Sequence, residues 1–280
     1  MTTGIIGKPI KHSLSPVLHS FWMKEHKIDS SYNIYEIEKY NISSFLKNLK
    51  NNNIDGLNIT IPYKSEVMKY LDHVHQEALD LGAVNTIKVG NNDELYGYNT
   101  DSYGFMQHLN VSAPLWKEKK GYITVIGAGG ASRAVIWSFL KENKMNIKLV
   151  NRSQKKALKL IEDMKKLYPK SNIVLCSNNK QALVNSSLLV NCSSLGMIGQ
   201  PKLKINLELM NKNSIVYDIV YSPLITELLS NAKRLNYTTI DGLGMLLNQA
   251  APAFEMWHNK KVIVSEALRK TVIAHLERAN

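Results

Sequence analysis

The sequence predicts an α/β fold divided into two domains. Three observations point there. Short apolar runs alternate with segments of helical period along most of the chain. A glycine-rich turn stands near the middle, where one apolar run gives way to a helical segment. The chain has 280 residues, enough for two domains that each bury a core.

Residues 3–7 read as a short strand. Ser15 is placed to cap a helix over 16–27, with Pro16 at its first position, where the missing N–H costs nothing. Residues 31–37 alternate as a strand, and 42–51 read as a helix. Residues 54–61 form a second apolar strand, stopped by Pro62. Strands that alternate with helices favour a mostly parallel sheet covered by helices, and this first domain is expected over 1–103.

A second domain is expected over 104–243. Residues 121–126 read as a buried strand that runs into the glycine turn, followed by a helix over 132–143. A strand at 146–150, a helix at 154–167 and strands at 173–176, 188–191 and 215–219 continue the alternation. Such a succession of βα units is what a doubly wound nucleotide-binding domain requires. The tail, 244–280, ends in an amphipathic helix over 265–278 with Leu268, Val272, Ile273 and Leu276 on one side. It is expected to pack back on the first domain.

Composition narrows the function. Hydrophobic residues are 44% and charged residues 21%, ordinary for a soluble globular protein, and no apolar run is long enough to cross a bilayer. The start of the chain lacks the basic, apolar and small-residue pattern of a signal peptide. The two cysteines, Cys176 and Cys192, belong to no close Cys or His cluster, so neither a disulfide framework nor a metal site is implied. These points favour the cytosol. The net charge of +12 comes from scattered pairs such as Lys119-Lys120 and Lys260-Lys261, with no basic tract interleaved with aromatics. A nucleic-acid partner is therefore not expected, although a basic surface helps to attract anionic small molecules.

The glycine turn reads Gly127-Ala128-Gly129-Gly130-Ala131-Ser132-Arg133. Gly127 permits the tight turn, and Gly129 lets the backbone approach a pyrophosphate at the positive end of the following helix. Ser132 stands where the strict dinucleotide pattern has a third Gly or Ala. At the end of the next strand, an NAD site usually places an acid for the ribose hydroxyls. This chain has Asn151-Arg152-Ser153 there, with Lys155 and Lys156 close behind. Arginine grips a phosphate through two parallel hydrogen bonds, which favours NADP.

Four polar clusters interrupt the apolar segments of the first domain: Ser13-Leu14-Ser15, Asn58-Ile59-Thr60 followed by Lys64, Asn85-Thr86, and Asn99-Thr100-Asp101. Two hydroxyls before a helix start can bind a carboxylate, and Ser15 can also cap that helix. Asn58 and Thr60 share one face of a strand by its two-residue period. Reduction of a carbonyl needs a proton donor for the developing alkoxide. Lys64 can supply it, with Asp101 holding it and binding a substrate hydroxyl.

The runs GKPIKHSLSP, NITIPYK, GAVNT, GYNTD, GAGGASR and DGLGMLLNQA, in this order, resemble the shikimate/quinate dehydrogenase family, and within it the shikimate dehydrogenases, over nearly the whole chain. The resemblance implies a substrate domain and a Rossmann-like NADP domain. It also implies reversible NADPH-dependent reduction of 3-dehydroshikimate to shikimate in aromatic amino-acid biosynthesis, with the enzyme a monomer or homodimer. By that resemblance Lys64 and Asp101 are the catalytic pair, and Ser13, Ser15 and Tyr221 bind the substrate carboxylate. Asn58, Thr60, Asn85, Asp101 and Gln249 bind ring hydroxyls. Gly127, Ala128, Gly129, Gly130 and Ala131 match the pyrophosphate loop. Asn151, Arg152, Ser153 and Lys156 match the adenosine-phosphate segment, and Gly242 and Met245 lie near the nicotinamide. The departures are mild: Tyr63 where the family often has Phe, Ser153 where it often has Thr, and a changed start to the 191–197 segment.

Overall fold

The computed structural model describes residues 1–279. They form two compact units, one of Met1–Asp101 together with the chain from Leu247 on, the other of Ser102–Leu246. The first opens with β1 (Thr2–Gly7), α1 (Ser15–Glu25), β2 (Ser31–Glu36), α2 (Ile42–Lys47), β3 (Ile54–Ile59), β4 (His73–Val74), α3 (Gln76–Leu81), β5 (Thr86–Val89) and β6 (Leu95–Tyr98). The chain continues through α4 (Asp101–Ser112), β7 (Tyr122–Ile126), α5 (Gly130–Lys141), β8 (Asn146–Val150), α6 (Gln154–Leu167), β9 (Asn172–Leu175), α7 (Asn179–Leu183), β10 (Ser186–Asn191), β11 (Ile215–Asp218), α8 (Glu227–Arg234) and β12 (Thr238–Ile240). It then returns through α9 (Leu243–His258) and α10 (Glu266–Ala279). No helix among the described residues is long and apolar enough to cross a membrane.

In the first unit the strand order is β2-β1-β3-β5-β6-β4. β1 runs parallel to β2 and β3, and β4 to β6, but β5 is antiparallel to both β3 and β6. The β5–β6 hairpin is absent from the sequence reading. Its turn is closed by Gly90 N–H donating to the Glu94 carbonyl at 2.8 Å, with Asp93 in the left-handed region at φ 67°. The antiparallel insertion has a consequence for the site. Thr86, at the start of β5, pairs with Asn58 near the end of β3 and with Tyr98 at the end of β6. Asn85 and the 99–101 segment therefore reach the same end of the sheet as Asn58 and Thr60.

Leu57 and Ile59 point to one face of this sheet, where they join Ile6, Ile87 and the helical residues Ile42 and Leu46 in a buried core. Gly56 and Asn58 point to the other. There Trp257 lies so close to Gly56 that an added Cβ would come within 2.0 Å of its indole nitrogen. That indole donates to the Ile87 carbonyl at 2.9 Å, and Trp22 donates to the Ile263 carbonyl at 3.1 Å. The returning C-terminal segment thus completes this unit.

Helix α1 corrects one reading. Leu14, not Ser15, occupies the N-cap position, and no side chain caps the helix there. Ser15 is the first helical residue and Pro16 the second, while the Ser15 N–H donates to Ser13 Oγ at 3.3 Å. Helix α2 also stops at Lys47, short of 51, because the chain turns through the Asn-rich 48–53 segment with Asn53 at φ 53°.

The second unit holds one parallel sheet in the order β12-β11-β10-β7-β8-β9. Counted from β7, this is the doubly wound order, which reverses between β7 and β10. Ile126, Leu189 and Val216 from three adjacent strands pack with Leu183, Leu228 and Leu229 of the covering helices. The helix after the glycine turn begins at Gly130 rather than at 132, because the turn itself makes its first residues.

Candidate active site

Polar side chains gather at one end of the first unit's sheet. Thr60 follows β3 directly, and its N–H donates to the Ile6 carbonyl at 3.0 Å. Lys64 is tied to the β5 approach, since the Val84 N–H donates to its carbonyl at 2.7 Å. The Lys64 ammonium reaches Asp101 Oδ2 at 2.5 Å. The two side chains are 27% and 13% exposed, so this ion pair is shielded more than a surface pair and open enough to meet a ligand. Asp101 stands at the start of α4, where the helix dipole favours a carboxylate. Its other oxygen accepts from Asn85 Nδ2 at 2.8 Å, and its N–H donates to Asn99 Oδ1 at 2.9 Å. Gln249 Oε1, on α9, lies 3.4 Å from Asn85 Nδ2 and from Thr100 Oγ1.

Of the residues singled out in the sequence, Asn58, Lys64, Asn85, Asp101 and Gln249 are thus joined at one place. Thr60 is half-buried beside them in sequence, and Ser13 and Ser15 sit at the start of α1. Ser15 is itself buried, and its hydroxyl acts on the phenol of Tyr32. Burial pushes that phenol's pKa up, and Ser15 opposes the push. The network also takes in Tyr32 and Thr86 through Asn58, and the sequence gives neither a role of its own. Thr86 stood inside the GAVNT run, so its motif was visible and its role was not. Tyr32 was signalled only as an aromatic on a strand.

The second unit carries its own constellation at the C-terminal ends of β7, β8, β10 and β11. Gly127 has φ 107°, and a Cβ there would sit 3.1 Å from the Cys192 carbonyl, so glycine is required. Ser132 is buried and its Oγ accepts from the Gly129 N–H at 3.3 Å, which explains why a serine serves at the third small position. Gly129 and Gly130 are exposed, and a Cβ on either would meet nothing within 4 Å. Nothing in the protein demands glycine at these two positions. The open backbone at the start of α5 therefore fits a pyrophosphate that approaches closely.

At the end of β8, Asn151 Nδ2 donates to the Ser153 carbonyl at 2.8 Å, and Ser153 caps α6 by accepting from Lys156 N–H at 3.4 Å. Arg152 and Lys156 are exposed and have no carboxylate partner among the described residues. Ala128 and Ala131 are half-buried in the glycine turn. Gly242 follows β12, where an added Cβ would come within 2.0 Å of the Ile219 carbonyl oxygen, and Met245 is buried in the first turn of α9. Tyr221 belongs to this second unit, and burial raises its phenol's pKa. The loop that carries it is set by Asp218, which is wholly buried. Asp218 accepts from Asn191 Nδ2 at 2.9 Å, Val220 N–H at 3.1 Å and Thr226 Oγ1 at 2.7 Å. Burial raises its pKa and these bonds oppose the shift. No cluster of metal-ligating side chains occurs among the described residues.

Family models match most of the chain. Residues 5–87 match the shikimate dehydrogenase substrate binding domain, 112–246 the shikimate / quinate 5-dehydrogenase model, and 242–264 the shikimate 5'-dehydrogenase C-terminal domain. A shikimate dehydrogenase (NADP(+)) of Paramagnetospirillum magneticum is 39% identical over 271 residues, covering 97% of both chains. The crystal structure of shikimate 5-dehydrogenase from Thermus thermophilus in complex with NADP(H) and shikimate matches with a TM-score of 0.84 at 30% identity, covering all of both chains. Quinate dehydrogenase from Corynebacterium glutamicum in complex with NAD matches with a TM-score of 0.90 at 26% identity, covering 98% of this chain and 99% of that one. With its doubly wound second sheet, its matches to the family models and this full-length similarity, the chain belongs to the shikimate dehydrogenase family.

Proposed function

We propose that this chain catalyses the reversible NADPH-dependent reduction of 3-dehydroshikimate to shikimate, a step toward chorismate and the aromatic amino acids. The observation that carries the reading is the Lys64–Asp101 pair, held at 2.5 Å among Asn85, Gln249 and Asn58. Bound NADPH supplies the hydride. Lys64, or a water that it holds, gives the proton to the alkoxide forming on the ring. Asp101 orients Lys64 and accepts from a ring hydroxyl. Asn58, Thr60, Asn85 and Gln249 bind the remaining hydroxyls, and Ser13, Ser15 and Tyr221 bind the carboxylate.

The NADP assignment is supported by Arg152 and Lys156, two exposed cations without carboxylate partners among the described residues, and by the names of the curated relatives. Gly127 to Ala131 receive the pyrophosphate, Asn151 to Ser153 with Lys156 the adenosine phosphate, and Gly242 and Met245 the nicotinamide end. In this reading 1–103 form the substrate domain, 104–243 the cofactor domain, and 244–280 return to the first. The protein works in the cytoplasm as a monomer or homodimer on a small molecule, with neither nucleic acid nor membrane as partner.

The test follows nicotinamide absorbance with shikimate or quinate and NADP or NAD in all four pairings. Fast turnover with shikimate and NADP alone is the expected result. Preference for quinate and NAD would keep the catalytic pair and overturn the role given to Arg152.

A further inference from the structure

We infer that Tyr32 and Thr86 are positioning residues for this reaction, acting through a one-way chain of hydrogen bonds that ends on Asp101; the inference rests on the substrate roles proposed for Asn58, Asn85 and Asp101. The sense of every link is fixed by its neighbours. Asp101, paired with the Lys64 ammonium, only accepts. The Asn85 group 2.8 Å from its Oδ1 is therefore the amide NH2. Asn85 Oδ1 then faces the Thr100 N–H at 2.9 Å, which only donates, and the Thr86 hydroxyl at 3.0 Å, which donates as well. With its one proton engaged, Thr86 Oγ1 accepts from Asn58 Nδ2 at 3.2 Å. The same nitrogen lies 3.3 Å from the Asn85 carbonyl, an acceptor only, so the Asn58 orientation is set a second time. Asn58 Oδ1 consequently turns to Tyr32, whose O–H donates at 2.7 Å.

All four inner members are buried: Tyr32 at 8%, Asn58 at 5%, Asn85 at 2% and Thr86 at 0% exposure. Water is not at hand to replace a lost partner, so each amide is held in one orientation. The ring of Tyr32 is itself held by stacking on His19, with centroids 4.3 Å apart and planes 7° from parallel.

The chain decides what the substrate meets. The Asn58 amide nitrogen is engaged inside the protein, on Asn85 O and Thr86 Oγ1. The amide oxygen has one lone pair left beside the Tyr32 bond. Asn58 therefore presents an acceptor only, and the ring position it reads carries a hydroxyl donor, not a carbonyl. A ketone at that position would set two acceptors against each other. Tyr32 and Thr86 thus help to decide which ring oxygen can be the carbonyl.

Steady-state kinetics of the full chain with shikimate and NADP test this. Thr86→Val removes the hydroxyl at nearly constant shape and is expected to lower kcat/KM for shikimate roughly 10- to 100-fold, with KM for NADP unchanged within about twofold. Thr86→Ser restores the hydroxyl and is expected to recover to within about threefold of wild type. Tyr32→Phe keeps the stacked ring, loses one O–H, and is expected to raise KM for shikimate about fivefold or more while kcat changes less than about twofold. Thr86→Val kinetics within twofold of wild type, or Thr86→Ser as impaired as Thr86→Val, overturn the inference. If Thr86→Val fails to fold, Tyr32→Phe decides alone, and an unchanged KM rejects the chain. A wild type that turns over no shikimate overturns the proposed function and this inference together; an active wild type with indifferent variants overturns this inference only.

Discussion

Asp101 answers two partners at once, Lys64 on one oxygen and Asn85 on the other. The arrangement fixes the ammonium in position while leaving it partly exposed, within reach of a ligand. If Lys64 supplies or directs the proton, Lys64→Ala loses general-acid catalysis, and turnover falls roughly 10²- to 10⁴-fold. Stopped assays at saturating shikimate and NADP measure this directly, and near-normal turnover would remove Lys64 from the chemistry. Asn85 works differently. It donates to Thr100 Oγ1 and Asp101 Oδ1, and accepts from Thr100 N–H and Thr86, so its orientation is set by the protein and a ring hydroxyl reaches it only by taking over one of these bonds.

At the scale of elements, the start of α5 separates two uses of glycine. Gly127 is demanded by its own backbone and by Cys192, whereas Gly129, at φ −99°, has open space around it. Gly127→Ala is expected to cost stability of about 1–3 kcal/mol, the range for a side chain forced into positive φ. Gly129→Ala is expected to cost less than about 1 kcal/mol of stability and yet to raise KM for NADP. Denaturant melts and cofactor titrations of both variants distinguish folding from binding; equal stability losses would refute the contrast. Much of this element level was legible beforehand. The parallel βα units of the second sheet follow from apolar runs and helical periods, and the nearness of Lys64 and Asp101 from their places beside polar strand ends. The β5–β6 hairpin was not legible, because short runs such as Leu95–Tyr98 carry a glycine and alternate weakly. Nor was the chain through Thr86. Its donor sense depends on Asn58 facing Thr86 across an antiparallel ladder, and no local pattern encodes that pairing.

At the scale of the whole molecule, one buried group ties stability to pH. His19 is wholly enclosed among Trp22, Tyr32, Phe254 and Trp257, and neither ring nitrogen has a hydrogen-bond partner. Burial, and secondarily the charge of His258, pushes its pKa down from 6.5 to about 3, against a smaller upward pull from the nearby Asn58 side chain. The unfolded chain therefore takes up this proton first. The contribution is complete above the ordinary histidine pKa and is lost as pH falls toward the folded value. Between pH 7 and pH 5 the loss is expected to be about 2 kcal/mol. Denaturant unfolding at the two pH values measures it, and a His19→Leu variant with the same pH dependence would assign it elsewhere. The enclosure also has a bearing on synthesis. The first unit is interrupted by the second, and Trp22 waits for a carbonyl 241 residues further along the chain. On the ribosome the inserted unit has all of its strands available while the first still lacks α9 and α10. The sheet that carries Asn58 therefore emerges with its aromatic face uncovered. Its cover, and with it Gln249, arrives only after the whole inserted unit, so the substrate-side network is completed once the second unit has been made.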